Sequence, residues 1–311
     1  MSIRIALLSA LALPATSFAA TVWSSDFESG DFSAWYRVQA VSPDRAQFVS
    51  DPVRQGSRAV KITVNQFDDA VGSGNDRTEM VKLTHEAPGS EYFYAWSVMF
   101  APDYPKSDHW QVFTQWHQDG LGGIPPLQMY VRGERMYLHT GGNPEKEPVW
   151  SAPLERGKWQ DFILHVKWSA DPSQGFVELY QNGKLELPRT AAATMLSSQL
   201  SYLKMGLYRS REIAPQGVVY FDDVKMATAL DDVRPPIAVP SAPSAGEPQD
   251  LSAATPSSYE VHLDPSGAGC SAGGSLVPAA FAVALLAVSA ALRRRKPLAA
   301  ARARSCRRWR T

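Results

Sequence analysis

The chain has 311 residues with 31 Lys and Arg against 31 Asp and Glu, yet the charges are segregated. Nine bases lie after position 292 and one, Arg4, near the start, so residues 21–292 hold 21 bases against 31 acids, a net of −10. That balance excludes a nucleic-acid-binding body, since phosphate contacts need a positive surface. Two cysteines, Cys270 and Cys306, exclude a disulfide scaffold and a cysteine-ligated zinc site.

Residues 1–20 read as a secretory signal peptide. Arg4 supplies the positive start, Ile5 to Pro14 the apolar stretch, and Ser17-Phe18-Ala19 the small residues of a cleavage site. Residues 21–230 are one domain by size. Arg58 to Val64 alternates apolar and polar residues and predicts a strand. Met129 to Leu138 predicts a hairpin around Arg132-Gly133-Glu134. Asp161 to Trp168 predicts another strand, and Phe176 to Leu187 a hairpin turning at Asn182-Gly183. Ala191 to Leu200 is expected to form a short helix, and Val218 to Val224 a closing strand. Many short strands without a long amphipathic helix point to an all-β, concanavalin A-like jelly-roll sandwich.

Residues 231–268 hold Pro235-Pro236, Pro240, Pro243, Pro248, Pro256 and Pro265 among Ala and Ser, the composition of an extended linker. Residues 269–311 form a tripartite tail. Gly269-Cys270-Ser271 opens it, the uncharged run 276–292 is just long enough to span a bilayer, and Arg293-Arg294-Arg295-Lys296 closes it. This tail resembles the Gly-Cys/helix/Arg sorting tails of the MYXO-CTERM type, which implies display at the cell surface. An ordinary C-terminal anchor is the alternative. Either way the body is expected to be exported and to meet membrane only through this tail.

Three segments carry the chemistry: Asp76-Arg77-Thr78-Glu79-Met80, Gln111 to His117, and Tyr202 to Arg209. Read as strands, they put Arg77 with Glu79, Gln115 with His117, and Tyr202 with Lys204, Gly206 and Tyr208 on one face. Met80, Val112, Trp116, Leu203, Met205 and Leu207 are then expected in the core. A polar sheet face flanked by aromatics is a natural carbohydrate groove. His139, on the first hairpin, is expected to line it. Trp110, Trp150 and Tyr130 suit either sugar stacking or the core.

These groups suit β-elimination from a uronic-acid polymer. The substrate carboxylate must be neutralised before the C-5 proton becomes acidic enough to leave. Arg77 and Gln115 offer donors to the carboxylate and the developing enolate. His117 serves as base or carboxylate partner, and Tyr208 as acid, or as base beside Lys204 and Arg209. No redox cofactor is required. Glu28 near the first strand and Asp222 or Asp223 near the last are expected to meet and could supply oxygen ligands to a structural calcium.

The motifs Arg77-Thr78-Glu79, Gln115-Trp116-His117 and Tyr202-Leu203-Lys204-Met205-Gly206-Leu207-Tyr208, in that order, resemble those of the jelly-roll polysaccharide lyases, above all the heparin lyase I-like and glucuronan lyase-like group. The resemblance covers most of 21–230. It implies that Arg77, Gln115 and His117 neutralise the carboxylate or take the proton, and that Tyr208 protonates the leaving oxygen. It leaves Lys204, Arg209, Glu79, Tyr202 and His139 to hold substrate, with Glu79 orienting Arg77. Met80 and Arg209 stand where alginate lyases of this fold carry a base and an Asn, which points away from alginate. The expected partner is an anionic uronate polysaccharide, met by a monomer. Two rival readings are a non-catalytic lectin-like module and a jelly-roll glycoside hydrolase. The hydrolase needs two carboxylates across a cleft, and Glu79 is the only acid on the expected polar face.

Overall fold

The computed structural model describes residues 21–120, 123–143, 146–197 and 199–234. The expected signal peptide, the tail with its spanning run 276–292, and the linker beyond Arg234 lie outside the described residues. Among the described residues, no helix is long and apolar enough to cross a membrane.

Fifteen strands form in chain order: β1 (Thr21–Ser25), β2 (Arg37–Gln39), β3 (Ala46–Val49), β4 (Ala59–Val64), β5 (Asp76–Glu86), β6 (Glu91–Phe100), β7 (Gln111–Gln118), β8 (Leu127–Arg132), β9 (Arg135–Thr140), β10 (Trp150–Pro153), β11 (Trp159–Lys167), β12 (Phe176–Gln181), β13 (Lys184–Ala191), β14 (Ser201–Arg209) and β15 (Gly217–Ala227). They make two sheets. One has the order β13-β12-β11-β6-β15-β4-β3, with β1 also on β15; the other runs β10-β9-β8-β7-β14-β5-β2. Every pairing within these sheets is antiparallel. The jelly-roll sandwich expected from the alternation is therefore the fold.

The core lies between the sheets. Val60 and Ile62 of β4, Trp96 and Val98 of β6, and Phe162 and Leu164 of β11 meet Met80, Trp116, Met129, Leu138, Leu203, Met205 and Leu207 from the other sheet. Trp96 and Trp116 rings lie 6.2 Å apart across the interface. Burial of such side chains is worth about 1.5–3 kcal/mol each. Trp150 belongs to this core, with its ring 6.1 Å from Phe162.

Both expected hairpins form. Asn182 and Gly183 have φ of 51° and 79°, the left-handed pair that a two-residue turn requires. Residues 192–197 are not helical. Their backbone groups have distant partners: Ala192 N–H donates to Gly175 O, and Thr194 and Met195 N–H donate to Ser169 O. Those bonds replace the local ones a helix would need. At the end of the described chain, Val233 packs with Ala95 and Ile163.

Candidate active site

The three segments singled out in the sequence become β5, β14 and β7, neighbours in the seven-stranded sheet. Their register sets the site. Tyr208 lies opposite Arg77, Gly206 opposite Glu79, Lys204 opposite Gln115, and Tyr202 opposite His117.

Glu79 is the hub. It is 2% exposed, and Lys204 Nζ donates to its Oε2 at 2.6 Å. Arg77 Nη1 reaches the same oxygen at 3.1 Å, while Gln115 Nε2 donates to Oε1. Burial pushes the Glu79 carboxyl up, but the Lys204 and Arg77 charges outweigh it and hold the group below the usual carboxylate range. Lys204 is 2% exposed, so it serves the hub from within. The Gln115 amide is oriented by its bond to an acceptor-only carboxylate.

Arg77 leaves the hub toward Tyr208. Its guanidinium sits 3.9 Å above the Tyr208 ring, a cation–π contact that fixes the half-buried phenol. Trp110 packs edge-on against the same ring, with ring centroids 4.8 Å apart. Ser73 Oγ accepts a second Arg77 bond at 3.0 Å.

His117 stands at the opposite end, 5.7 Å from the Tyr202 ring. Its Nδ1 lies 2.8 Å from Gln118 O. A carbonyl only accepts, so Nδ1 carries the proton and Nε2 keeps its lone pair. Burial, then the Lys204 charge, pull the imidazole below its ordinary value, so it stays neutral with its Nε2 lone pair able to accept a proton. Tyr208 pairs with Val112, five residues from His117 on β7. At about 3.3 Å per residue the two backbones are on the order of 15 Å apart along the strand. Gln115 and Glu79 lie between them in the register.

A cavity of about 290 Å³ opens beside Tyr208, lined also by Trp110, Val112, Gln128, Tyr130, Arg132, His139 and residues 123–125. His139 is at this cavity as expected, with Nε2 3.2 Å from Lys146 O. Val112 is there too, buried but outside the main core cluster. A register shift between Val112 and Thr114 breaks the strict alternation and turns Phe113 inward instead. Gln128 and Arg132 escaped the sequence reading. Their signal was present, since β8 alternates them with Leu127, Met129 and Val131, but the hairpin carried no motif.

Arg209 is corrected. It is 0% exposed, its Nη1 donates to Pro215 O at 2.7 Å, and burial lowers its affinity for a proton. It follows Tyr208 by one residue and so faces away from the groove. Arg211 pairs with Asp69 at 2.7 Å.

The expected calcium ligands Glu28 and Asp222 have protein partners of their own. Glu28 and Asp222 do serve one loop, but through hydrogen bonds. Glu28 accepts from Ser57 N, Ser57 Oγ and Arg58 N, and Asp222 accepts from Arg54 N and Gln55 N. The Ser57 hydroxyl bond helps pull Glu28 below its ordinary value, whereas burial pushes Asp222 up to about 6. Among the described residues, no group of three or more His, Cys, Asp or Glu is placed to hold a metal ion.

A family profile described as polysaccharide lyase matches residues 27–225. No curated protein matches the chain in sequence. Among solved structures, the chain is similar to an endo-β-1,4-glucuronan lyase from the fungus Trichoderma reesei, at 19% identity and a TM-score of 0.58, over 69% of this chain and 98% of that one. It is also similar to the catalytic domain of a glycoside hydrolase family 131 protein from Coprinopsis cinerea, at 15% identity and a TM-score of 0.50, over 66% and 93%. A lyase and a hydrolase share the sandwich, so the structural likeness speaks to fold alone.

Proposed function

The chain belongs to the polysaccharide lyase family, and from that premise we propose that it cleaves a uronic-acid-containing polysaccharide by β-elimination on the outer face of the seven-stranded sheet. The observation that carries the reading is the convergence of Arg77, Gln115 and Lys204 on Glu79, between a neutral His117 and the fixed phenol of Tyr208.

In this reading Arg77 and Gln115 receive the substrate carboxylate. Together with Lys204 they give the hub two cations against one anion, which favours the enolate as charge moves onto it. His117 Nε2 and the Tyr208 hydroxyl carry the proton transfers, one removing the C-5 proton and one protonating the departing O-4. The C4–O4 bond breaks, its electron pair leaves with oxygen, and a C4–C5 double bond remains. No step runs through a metal ion. Where proton and leaving oxygen lie on one ring face, Tyr208 performs both transfers; where they lie on opposite faces, His117 is needed as well.

The test is a panel of glucuronan, alginate, heparin, heparan sulfate and hyaluronan, read by ultraviolet absorbance of the conjugated uronate. Folded protein that releases no such product from any of them would sink the reading. Tyr208→Phe should lower kcat by about 10²–10⁴-fold without changing the thermal midpoint. His117→Ala should cost as much only on the opposite-face epimers.

A hydrolytic alternative has little support, because Glu79 is held ionised under two cations and is poorly suited to be an acid. We further assign residues 1–20 to export, 21–230 to catalysis, 231–268 to a spacer and 269–311 to retention at the cell surface, with the domain acting as a monomer. Protease shaving of intact cells should release the domain, and retention inside the cells would refute that assignment.

A further inference from the structure

We propose that the cavity beside Tyr208 is a subsite for a second carboxylated sugar, with Arg132 reading its carboxylate. This rests on the β-elimination reading and narrows it to polymers that carry carboxylates on consecutive residues.

The cavity, about 290 Å³, is of a size for one or two pyranose rings. Its walls are built for them. Trp110 and Tyr130 offer ring faces, and Tyr137 stacks on Tyr130 at 5.1 Å and stiffens it. Tyr208 belongs both to this lining and to the reacting centre, so a sugar here adjoins the one being cleaved.

Among the described lining residues, Arg132 is the one Lys or Arg. It follows Tyr130 by two residues on β8, so both share a face. Arg77 serves the reacting sugar, Lys204 is held on Glu79, Arg211 pairs with Asp69 and Arg209 donates to Pro215 O. Arg132 is exposed and makes no ion pair among the described residues. A guanidinium fork matches a carboxylate in a two-bond geometry. On a region of net charge −10 such a cation is a local attraction against a repelling background. A neutral glucan offers it nothing to pair.

Affinity electrophoresis of wild type and Arg132→Gln, in gels containing a homouronan, an alternating uronate–unsulfated hexosamine polymer or a neutral β-glucan, tests this without requiring turnover. The substitution should weaken retention by the homouronan about tenfold, with less than about a twofold effect on the alternating polymer and none on the glucan. The KM for homouronan should rise by about the same factor with kcat kept within about twofold. Arg132→Lys, which keeps charge but not the fork, should fall between. Equal losses on both anionic polymers would reduce Arg132 to general attraction and overturn the subsite, as would unchanged retention. If wild type forms no unsaturated product while the selective loss of retention persists, the subsite stands and the elimination chemistry fails.

Discussion

Among the buried carboxylates of strand β5, Glu79 and Glu86 lie seven residues apart, and their surroundings drive them in opposite directions. Glu79 faces the groove and meets Lys204, Arg77 and Gln115. Glu86 faces the core, where Tyr94 donates to it at 2.9 Å and Trp168 donates in turn to the Tyr94 oxygen at 3.1 Å. Burial pushes both carboxyls up. Cations reverse this at Glu79, whereas neutral partners leave Glu86 near 7. One strand thus holds a fixed anion under the groove and a carboxylic acid inside the core. Burial alone distinguishes neither; the charge of the partners does.

The largest expected effect comes from breaking the first arrangement. Glu79→Gln keeps the shape but leaves Arg77 and Lys204 buried together without an anion. Removing one partner from such a cluster costs about 3–5 kcal/mol. Urea denaturation should show that loss, and activity should fall even where the variant remains folded. A loss under about 1 kcal/mol would mean that the cluster is solvated and not a buried hub.

Glu86→Gln probes the second arrangement and should have the opposite sign. The folded protein keeps a proton on Glu86 that the unfolded chain releases near 4.5. The unfolded state therefore binds fewer protons between about 4.5 and 7, and stability falls as pH rises through that window. Above it the deficit approaches about 3 kcal/mol. The amide removes the ionisation, so the variant should be the more stable protein at pH 8 and close to wild type at pH 5. Parallel pH profiles for the two proteins would show that Glu86 does not titrate in that window.

Much of this was legible in the sequence. Strand alternation gave the face shared by Arg77, Glu79, Gln115, His117, Lys204 and Tyr208, because an antiparallel sheet maps every second residue to one side. The Asn182-Gly183 turn was equally readable, being local chemistry. What failed was whatever depended on breaks in alternation or on third parties. The bulge at Val112 moved it into the cavity. Arg209, one residue out of step with Tyr208, was counted as groove although its own spacing placed it inside. Lys204 was expected on the substrate, but only the register with β5 shows that Glu79 takes it first. Glu28 and Asp222 do meet one loop, but through backbone amides of residues 54, 55, 57 and 58 and the Ser57 hydroxyl, partners that composition cannot reveal.

The smallest expected effect tests the seam beneath Glu79. Gly206 lies opposite it with φ of 150°, and a Cβ built there would sit 2.2 Å from Thr78 O and 2.8 Å from the Glu79 Cα. Backbone atoms cannot swing aside, so Gly206→Ala must part β14 from β5 or bend one of them, at a cost of about 2 kcal/mol. The contacts of Lys204 with Glu79 and of Arg77 with Tyr208 cross this same seam, so kcat should fall together with stability. Gly183→Ala supplies the contrast. Its φ of 79° is also unfavourable for alanine, but a Cβ there meets nothing within 4 Å. It should cost about 1 kcal/mol from backbone strain alone and leave turnover untouched. If Gly206→Ala matches it in activity, the groove does not depend on close approach of the two strands, and the hub tolerates more slack than its buried ion pairs imply.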